Sequence, residues 1–397
     1  MEHLYANFNR RIKQINTDFI RYLMKNIDWG DRLIAIVGVR GSGKTTLMLQ
    51  YIKGKAFTGS EALYISLDDI WFSQHSLVDF TEDFVARGGK FLFLDEVHKY
   101  PTWSIEIKNI YDNYPDLKIV FTGSSMIEIY KGQGDLSRRL SLYTLSTLSL
   151  REYLIFEHGI TINPVHFSEI LTNHTDIAFE ISQKVKPLAY FSDFLKYGSL
   201  PFFKENKDKY HERLNATINI ILESDLQAIS NIDYAHILKL KKLLMVISSN
   251  VPFKPNISQL AGKIETERHT LYKYLDILER AGLIMQLSSQ GKGLNLLAKA
   301  EKVYLGNPNL CYALCNDMPQ TGNLRETFFV NQVRSTQTIH YTEPADFIIN
   351  QKYTIEVGGK GKDTTQLRNT ENAFLAIDGI EMGTQKRIPL WLFGFMY

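Results

Sequence analysis

Apolar residues first recur at helical spacing. Phe8, Ile12, Ile15, Phe19, Leu23 and Ile27 fall on one face, which predicts an amphipathic helix over 8–27. Short apolar runs then follow at 33–37, 62–67, 90–94, 117–122 and 141–147, with helical stretches at 45–53, 77–87 and 103–113 between them. Strands that alternate with helices predict a parallel α/β sheet covered on both faces. From 150 to 231 the pattern turns helical, broken at Pro187 and between Gly198 and Pro201. Residues 236–290 read as three helices and a hairpin, and the last hundred residues return to mixed strand and helix. No internal repeat interrupts this order.

Length sharpens the picture: 397 residues exceed one ordinary core, so two to four domains are expected. With 44% hydrophobic and 22% charged residues, a disordered or collagen-like chain is excluded. No apolar run approaches the roughly 18 residues of a membrane span, and the opening residues lack the apolar stretch of a secretory signal. Cys311 and Cys315 are too few for a disulfide framework or a zinc site. They read as small apolar core residues. A cytoplasmic protein without a membrane partner is the expectation.

The chemistry concentrates after the first strand. Gly38-Val39-Arg40-Gly41-Ser42-Gly43-Lys44-Thr45 fits G-x-x-x-x-G-K-[ST] between a strand and a helix. Glycines let backbone N–H groups curl around phosphate oxygens, and the helix N-terminus, which includes Thr46, adds its positive dipole end. Lys44 is expected on the β- and γ-phosphates of ATP, and the Thr45 hydroxyl on Mg2+. The strand at 90–94 ends in Asp95-Glu96. Asp95 is expected to hold the Mg2+, mostly through water, and Glu96 to polarise the attacking water.

The next strand ends in Thr122-Gly-Ser124-Ser125, which reads either as a γ-phosphate sensor at Ser124 or as turn chemistry. Arg138 and Arg139 precede the fifth strand, where an arginine can act as a finger toward a neighbouring subunit's nucleotide; a solvated pair is the plainer reading. Asp68 and Asp69 read as caps of the helix that follows. His98 and His269 lack metal-ligand spacing and read as surface or satisfied core residues.

Taken together, GVRGSGKT, FLFLDEVHKYPTWSIEIK, TGSS and LSLREYL resemble a prokaryotic family of AAA-type ATPases. KYGSLPF and the C-terminal EVGGK extend the resemblance over essentially the whole chain. The resemblance implies an AAA+ parallel sheet over 1–150, a helical lid over 151–235 and a winged helix over 236–305. It implies a small α+β domain like PD-(D/E)XK nucleases over 306–397. It also implies a cytoplasmic ATPase that forms homo-oligomers and has an unassigned client. Val39 stands where the family often has Pro, which leaves the phosphate cradle intact.

Charge is uneven. The whole chain carries +2, yet residues 236–305 carry +6 and residues 151–235 carry −4. The basic segment reads either as a nucleic-acid face, through Arg268, His269, Lys273 and Arg280, or as an architectural module docked on acidic neighbours. Leu271, Leu275 and Leu278 are expected in the core. In the last domain Glu326, Asp346 and Glu356 follow the nuclease pattern, but Gly358 replaces the lysine. Lys360 keeps the right strand parity one repeat too far along, so it reaches the site only if Gly358 and Gly359 bulge. An inactive nuclease-like fold is expected. The leading function is ATP hydrolysis coupled to the C-terminal modules. The alternatives are a nucleotide-gated DNA- or protein-binding module and an ATP-regulated nuclease.

Overall fold

The structure, a computed structural model, describes every residue except 1, 58–59, 124–135, 137, 227–232, 250–255, 290–299, 316–317, 344, 364–366 and 368–369. It divides into two compact units. The first runs to Ser146 and takes in the segment that begins at Glu223; the second holds 147–222 and the chain from Asp233 onward.

The first unit is an α/β layer. Strands β1 (Leu33–Val37), β2 (Ala62–Ser66), β3 (Phe91–Asp95), β4 (Lys118–Gly123) and β5 (Ser141–Thr144) form one parallel sheet in the order β2-β3-β4-β1-β5. The strands are apolar on both faces because helices cover both. Leu33, Ala35 and Val37 face a core with α3 (Leu77–Ala86) and α4 (Trp103–Asn113), through Phe80, Phe84, Trp103 and Ile107. Ile34 and Ile36 face the other core with Leu47, Met48 and Ile52 of α2 (Lys44–Lys55). This alternation is the two-residue period of an extended chain.

The predicted opening helix is corrected. Helix α1 spans only Glu2–Gln14, and a short 3-10 turn at Tyr22–Lys25 follows. Asn16 ends the helical run: its Oδ1 accepts the Asp18 amide at 2.6 Å and its Nδ2 donates to Asp18 at 2.8 Å. Such local side-chain bonds compete with helix continuation. Ile15, Leu23 and Ile27 still reach the α2-side core, so the apolar spacing survives without the helix.

In the second unit, α5 (Leu150–His158), α6 (Phe167–Ser182), α7 (Pro187–Tyr197) and α8 (Tyr210–Ile220) come first. Ser149 and Glu152 close a capping box on α5, and Pro187 opens α7 at its first turn. Next come α9 (Tyr234–Ser248), α10 (Ile257–Lys263) and α11 (Arg268–Arg280), then β6 (Ile284–Leu287) paired antiparallel with β7 (Lys302–Leu305). The three helices and the first hairpin strand fall where the pattern placed them, but the partner strand lies at 302–305, beyond the expected 236–290; the turn at 291–293 lies outside the described residues. Leu271, Leu275 and Leu278 are buried, as expected, while Arg268, His269 and Lys273 are exposed.

Helices α12 (Pro308–Leu314) and α13 (Thr321–Val333) precede a mixed sheet of β8 (Ile339–Tyr341), β9 (Phe347–Ile349), β10 (Tyr353–Gly358), β11 (Ala373–Ile377) and β12 (Arg387–Pro389). The first three strands pair antiparallel and the last three parallel. Cys311 is buried on α12, where burial pushes its thiol up to about 12, so it behaves as an apolar residue. Among the described residues no helix is long and apolar enough to cross a membrane.

Close backbone approach at the end of β7 gives a stability test. A Cβ on Gly306 would lie 1.9 Å from the Gly282 carbonyl oxygen, whereas one on Gly322 in α13 meets open space. Gly306→Ala should lower the unfolding free energy measured by urea titration by about 1–3 kcal/mol through overpacking. Gly322→Ala should be neutral or stabilising by up to about 1 kcal/mol.

Candidate nucleotide site

The site is built where β1 and β3 end. Between β1 and α2 the chain turns through Gly41 at φ 81° and Gly43 at φ 95°, left-handed conformations that glycine adopts without penalty. Gly38 makes the loop fit against the end of the sheet: a Cβ there would stand 2.4 Å from the Leu145 carbonyl. Arg21, only 4% exposed, braces the loop by donating to Ser42 O at 2.5 Å and Ser146 O at 2.8 Å. No motif marks Arg21 in the sequence.

Lys44 is buried, and its ammonium donates to the carbonyls of Gly38 at 3.0 Å and Val39 at 3.1 Å. Burial pulls its pKa down to about 8, while Glu96 and Asp95 pull the other way. The Ser42 hydroxyl is buried in the same loop and has no hydrogen-bond partner among the described residues. A loop with a buried ammonium and an unpaired hydroxyl suits an anion.

Asp95 closes β3 and gathers three hydroxyls. Thr45 of α2 donates to it at 2.7 Å, Tyr64 of β2 at 2.8 Å, and Thr122 of β4 donates to its other oxygen. Burial, and then the Asp95 charge, push the Tyr64 phenol far above its usual range, which keeps it a donor. The expected pair of metal-side residues, Thr45 and Asp95, is therefore in direct contact. Tyr64 and Thr122 were not among the expected site residues, although Thr122 opens the TGSS motif.

Glu96 follows in the left-handed region, at φ 53° and ψ 39°, and starts a 3-10 turn over Val97–Lys99. A non-glycine residue held there costs on the order of 1 kcal/mol or more, and such strain concentrates at functional sites. The expectation for His98 is corrected: it is neither on the surface nor satisfied. Its ring is buried, and among the described residues neither nitrogen has a hydrogen-bond partner. Burial holds its pKa down to about 4, so the ring is neutral, with Nε2 3.4 Å from Glu96 Oε2.

The remaining candidates divide. Ser124 lies outside the described residues. Arg138 is exposed. Arg139 forks onto Asp112 through Nε at 3.0 Å and Nη2 at 3.1 Å and lies over the Tyr111 ring. The Arg40 side chain leaves the loop for Asp225, a contact that sequence reasoning missed. The expectation for Asp68 and Asp69 is corrected: Asp69 caps only the 3-10 turn at Ile70–Ser73 by accepting the Trp71 amide, Asp68 accepts the Ser66 hydroxyl, and Ser76 caps α3.

A second cluster lies in the C-terminal unit. Lys302 of β7 donates to Glu326 at 3.1 Å and Asp346 at 3.0 Å, and Tyr304 donates to Glu326 at 2.8 Å. Burial works against the Lys302 ammonium, but the two carboxylates more than offset it and raise its pKa. Burial, then the neighbouring Asp346, raises that of Glu326. The lysine at Glu356 is Lys362, which ion-pairs with it, and not Lys360. The Lys362 stem fills the room beside Gly358, with its Cβ 2.8 Å from where a Gly358 Cβ would lie. The Lys360 stem runs against Gly379 instead. Among the described residues no three His, Cys, Asp or Glu side chains form a metal-ligand set.

A glycine loop leading from β1 into α2, with an Asp-Glu pair closing a strand one position removed from β1, defines a P-loop nucleotide-binding fold. A family model described as an AAA domain matches residues 30–154, so this part of the chain is similar to AAA domains. A model described as Domain of unknown function (DUF8612) matches residues 189–321. An uncharacterised protein of Methanocaldococcus jannaschii is 25% identical over 420 residues, covering 97% of this chain and 88% of the relative. One from Haemophilus influenzae is 25% identical over 295 residues, covering 68% and 67%. Among solved structures, the Walker-type ATPase of Pyrococcus abyssi is 12% identical over 72% of this chain and 91% of its own, at a TM-score of 0.40. AMPPCP-bound DnaA from Aquifex aeolicus is 14% identical over 68% and 86%, at 0.27. These last two likenesses are too loose to define a shared fold.

The tight seat of the loop gives a test. Gly38→Ala should shift the loop and weaken binding of a fluorescent ATP analogue at least tenfold. Gly54→Ala, where an added methyl meets nothing within 4 Å, should leave binding unchanged.

Proposed function

We propose that this protein is a Mg-dependent ATPase whose nucleotide state is coupled to its C-terminal unit. The observation that supports it best is the Thr45–Asp95 hydrogen bond, with Glu96 close enough to raise the pKa of Lys44 against its burial. Thr45 and Asp95 would hold Mg2+, which supplies charge neutralisation on the phosphates. The loop amides from Gly38 to Thr46 orient the phosphates, and Lys44 offsets their charge. Glu96 accepts the proton of the attacking water. Arg138, which is exposed while Arg139 is held by Asp112, is the better finger toward a neighbouring copy. Residues 236–305, with Arg268 and Lys273 exposed, are the face for nucleic acid. Coupling is supported by the chain path, because the segment from Glu223 packs in the ATPase unit while α8 and α9 on either side belong to the other.

Lys44→Ala should abolish ATP binding, and Glu96→Gln should keep binding while stopping turnover, since an amide accepts no proton. Phosphate release and nucleotide binding measured on both variants check this. Equal turnover by Glu96→Gln and the unaltered protein removes Glu96 from the mechanism.

For residues 306–397 we read the acids as a fixed ion-pair cluster on an inactive nuclease-like fold. The Lys302 ammonium fills the gap between Glu326 and Asp346 that a metal would need. The rival reading, metal-dependent cleavage, is favoured by Lys362 standing at Glu356. With Mg2+ or Mn2+, the protein should leave DNA and RNA uncut. Cleavage that disappears in both Asp346→Ala and Lys362→Ala would establish the rival.

A further inference from the structure

The P-loop arginine and the lysine beyond Glu96 share one distant acid. Arg40 Nη1 donates to both Asp225 oxygens, at 3.1 and 3.0 Å, and Lys99 Nζ donates to Oδ1 at 3.0 Å and to the Ser224 hydroxyl at 3.3 Å. The Asp225 side chain is 2% exposed, against 31% for Arg40 and 25% for Lys99. All of these residues belong to the ATPase unit. Arg40 comes from the phosphate loop and Lys99 from the turn that begins at Glu96. The two cations thus arise from the two motifs that bracket the phosphates.

Charge balance decides what the acid is for. Lys44 feels Asp95, Glu96, Arg40 and Asp225, and the neutral His98 stands 4.0 Å from Asp225 without adding charge. Among these residues three cations, Lys44, Arg40 and Lys99, face three carboxylates, Asp95, Glu96 and Asp225. These six charges cancel one another, and the buried Arg21 behind the loop adds a further positive charge. A triphosphate adds several negative charges, even with its magnesium, so one carboxylate has to give way. Asp95 is anchored by Thr45, Tyr64 and Thr122. The bonds that hold the Asp225 carboxylate come from Arg40 and Lys99 themselves.

We propose that Arg40 and Lys99 are a cation pair for the terminal phosphate of ATP, and that Asp225 is the anion that occupies them until that phosphate displaces it. The inference rests on the ATP-binding reading above and adds discrimination to it. ADP lacks the terminal phosphate and competes with Asp225 far less. By linkage, ATP loosens Asp225 as much as Asp225 weakens ATP. Asp225 ends a π-helical turn, Ile221–Asp225, that continues directly from α8. Its release therefore alters the segment beginning at Glu223, which belongs to the ATPase unit although the chain before and after it does not.

The test measures binding of Mg2+ with β,γ-methylene ATP and of Mg2+ with ADP to the full chain. Asp225→Asn should tighten the triphosphate on the order of tenfold, from one removed charge at short range, and ADP less than threefold. Arg40→Ala and Lys99→Ala should weaken the triphosphate more than ADP. An unchanged preference for triphosphate over diphosphate in Asp225→Asn overturns the inference. In the unaltered protein, backbone hydrogen exchange over 221–226 should speed up with the triphosphate analogue and not with ADP; equal exchange also overturns it. Failure of the unaltered protein to bind either nucleotide would instead remove the ATPase reading itself.

Discussion

The Asp95 carboxylate is the point on which the site depends. Three hydroxyls converge on it from α2, β2 and β4, and the strand order is what delivers them. Strands β2 and β4 flank β3, so Tyr64 and Thr122 reach Asp95 from either side. The loop after β1 brings Thr45 over the top. A hydrogen bond to a charged group contributes about 1.5–3 kcal/mol, and each donor left unpaired in that buried place would cost a comparable amount. The carboxylate therefore locks the register of the loop to the sheet and holds Thr45 in contact with it.

Around this anchor the site keeps charge out of water by balancing it. Lys44 is buried deeply enough to be pulled down to about 8, and His98 to about 4, yet only Lys44 stays charged near neutral pH. Buried ions are tolerated when paired, and here each cation has a carboxylate within reach. Glu96 sits in a left-handed backbone just past the anchor, which turns it away from the strand direction that Asp95 continues. Neighbouring acids thus acquire different surroundings: one held by three hydroxyls, the other beside a neutral, unpaired imidazole.

The C-terminal unit treats its acids differently. Lys302 spans Glu326 and Asp346, and Lys362 holds Glu356. The Tyr304 hydroxyl joins Lys302 on Glu326, and the Val357 amide joins Asp346 at 3.0 Å. Carboxylates satisfied by lysines within the same fold have little incentive to exchange them for a metal.

Local pattern was enough to read the strands, the phosphate loop and the Asp95-Glu96 pair, because each depends on residues adjacent in sequence. Strand periodicity and glycine spacing are backbone properties. The opening helix was misread because apolar spacing does not report the Asn16–Asp18 turn that cuts it. Lys362 escaped strand-parity reasoning because the chain leaves the strand after Gly358 and returns a side chain through the space that glycine leaves empty. Asp225 was beyond reach altogether: 185 residues separate it from Arg40, and nothing in a helical, acidic stretch distinguishes it from its neighbours. The sequence by itself determined which residues can cradle a phosphate, since that takes glycine, lysine and threonine in fixed spacing. Only the tertiary structure decided which buried charges meet, since pairing out of water is settled by where the packed chain brings them.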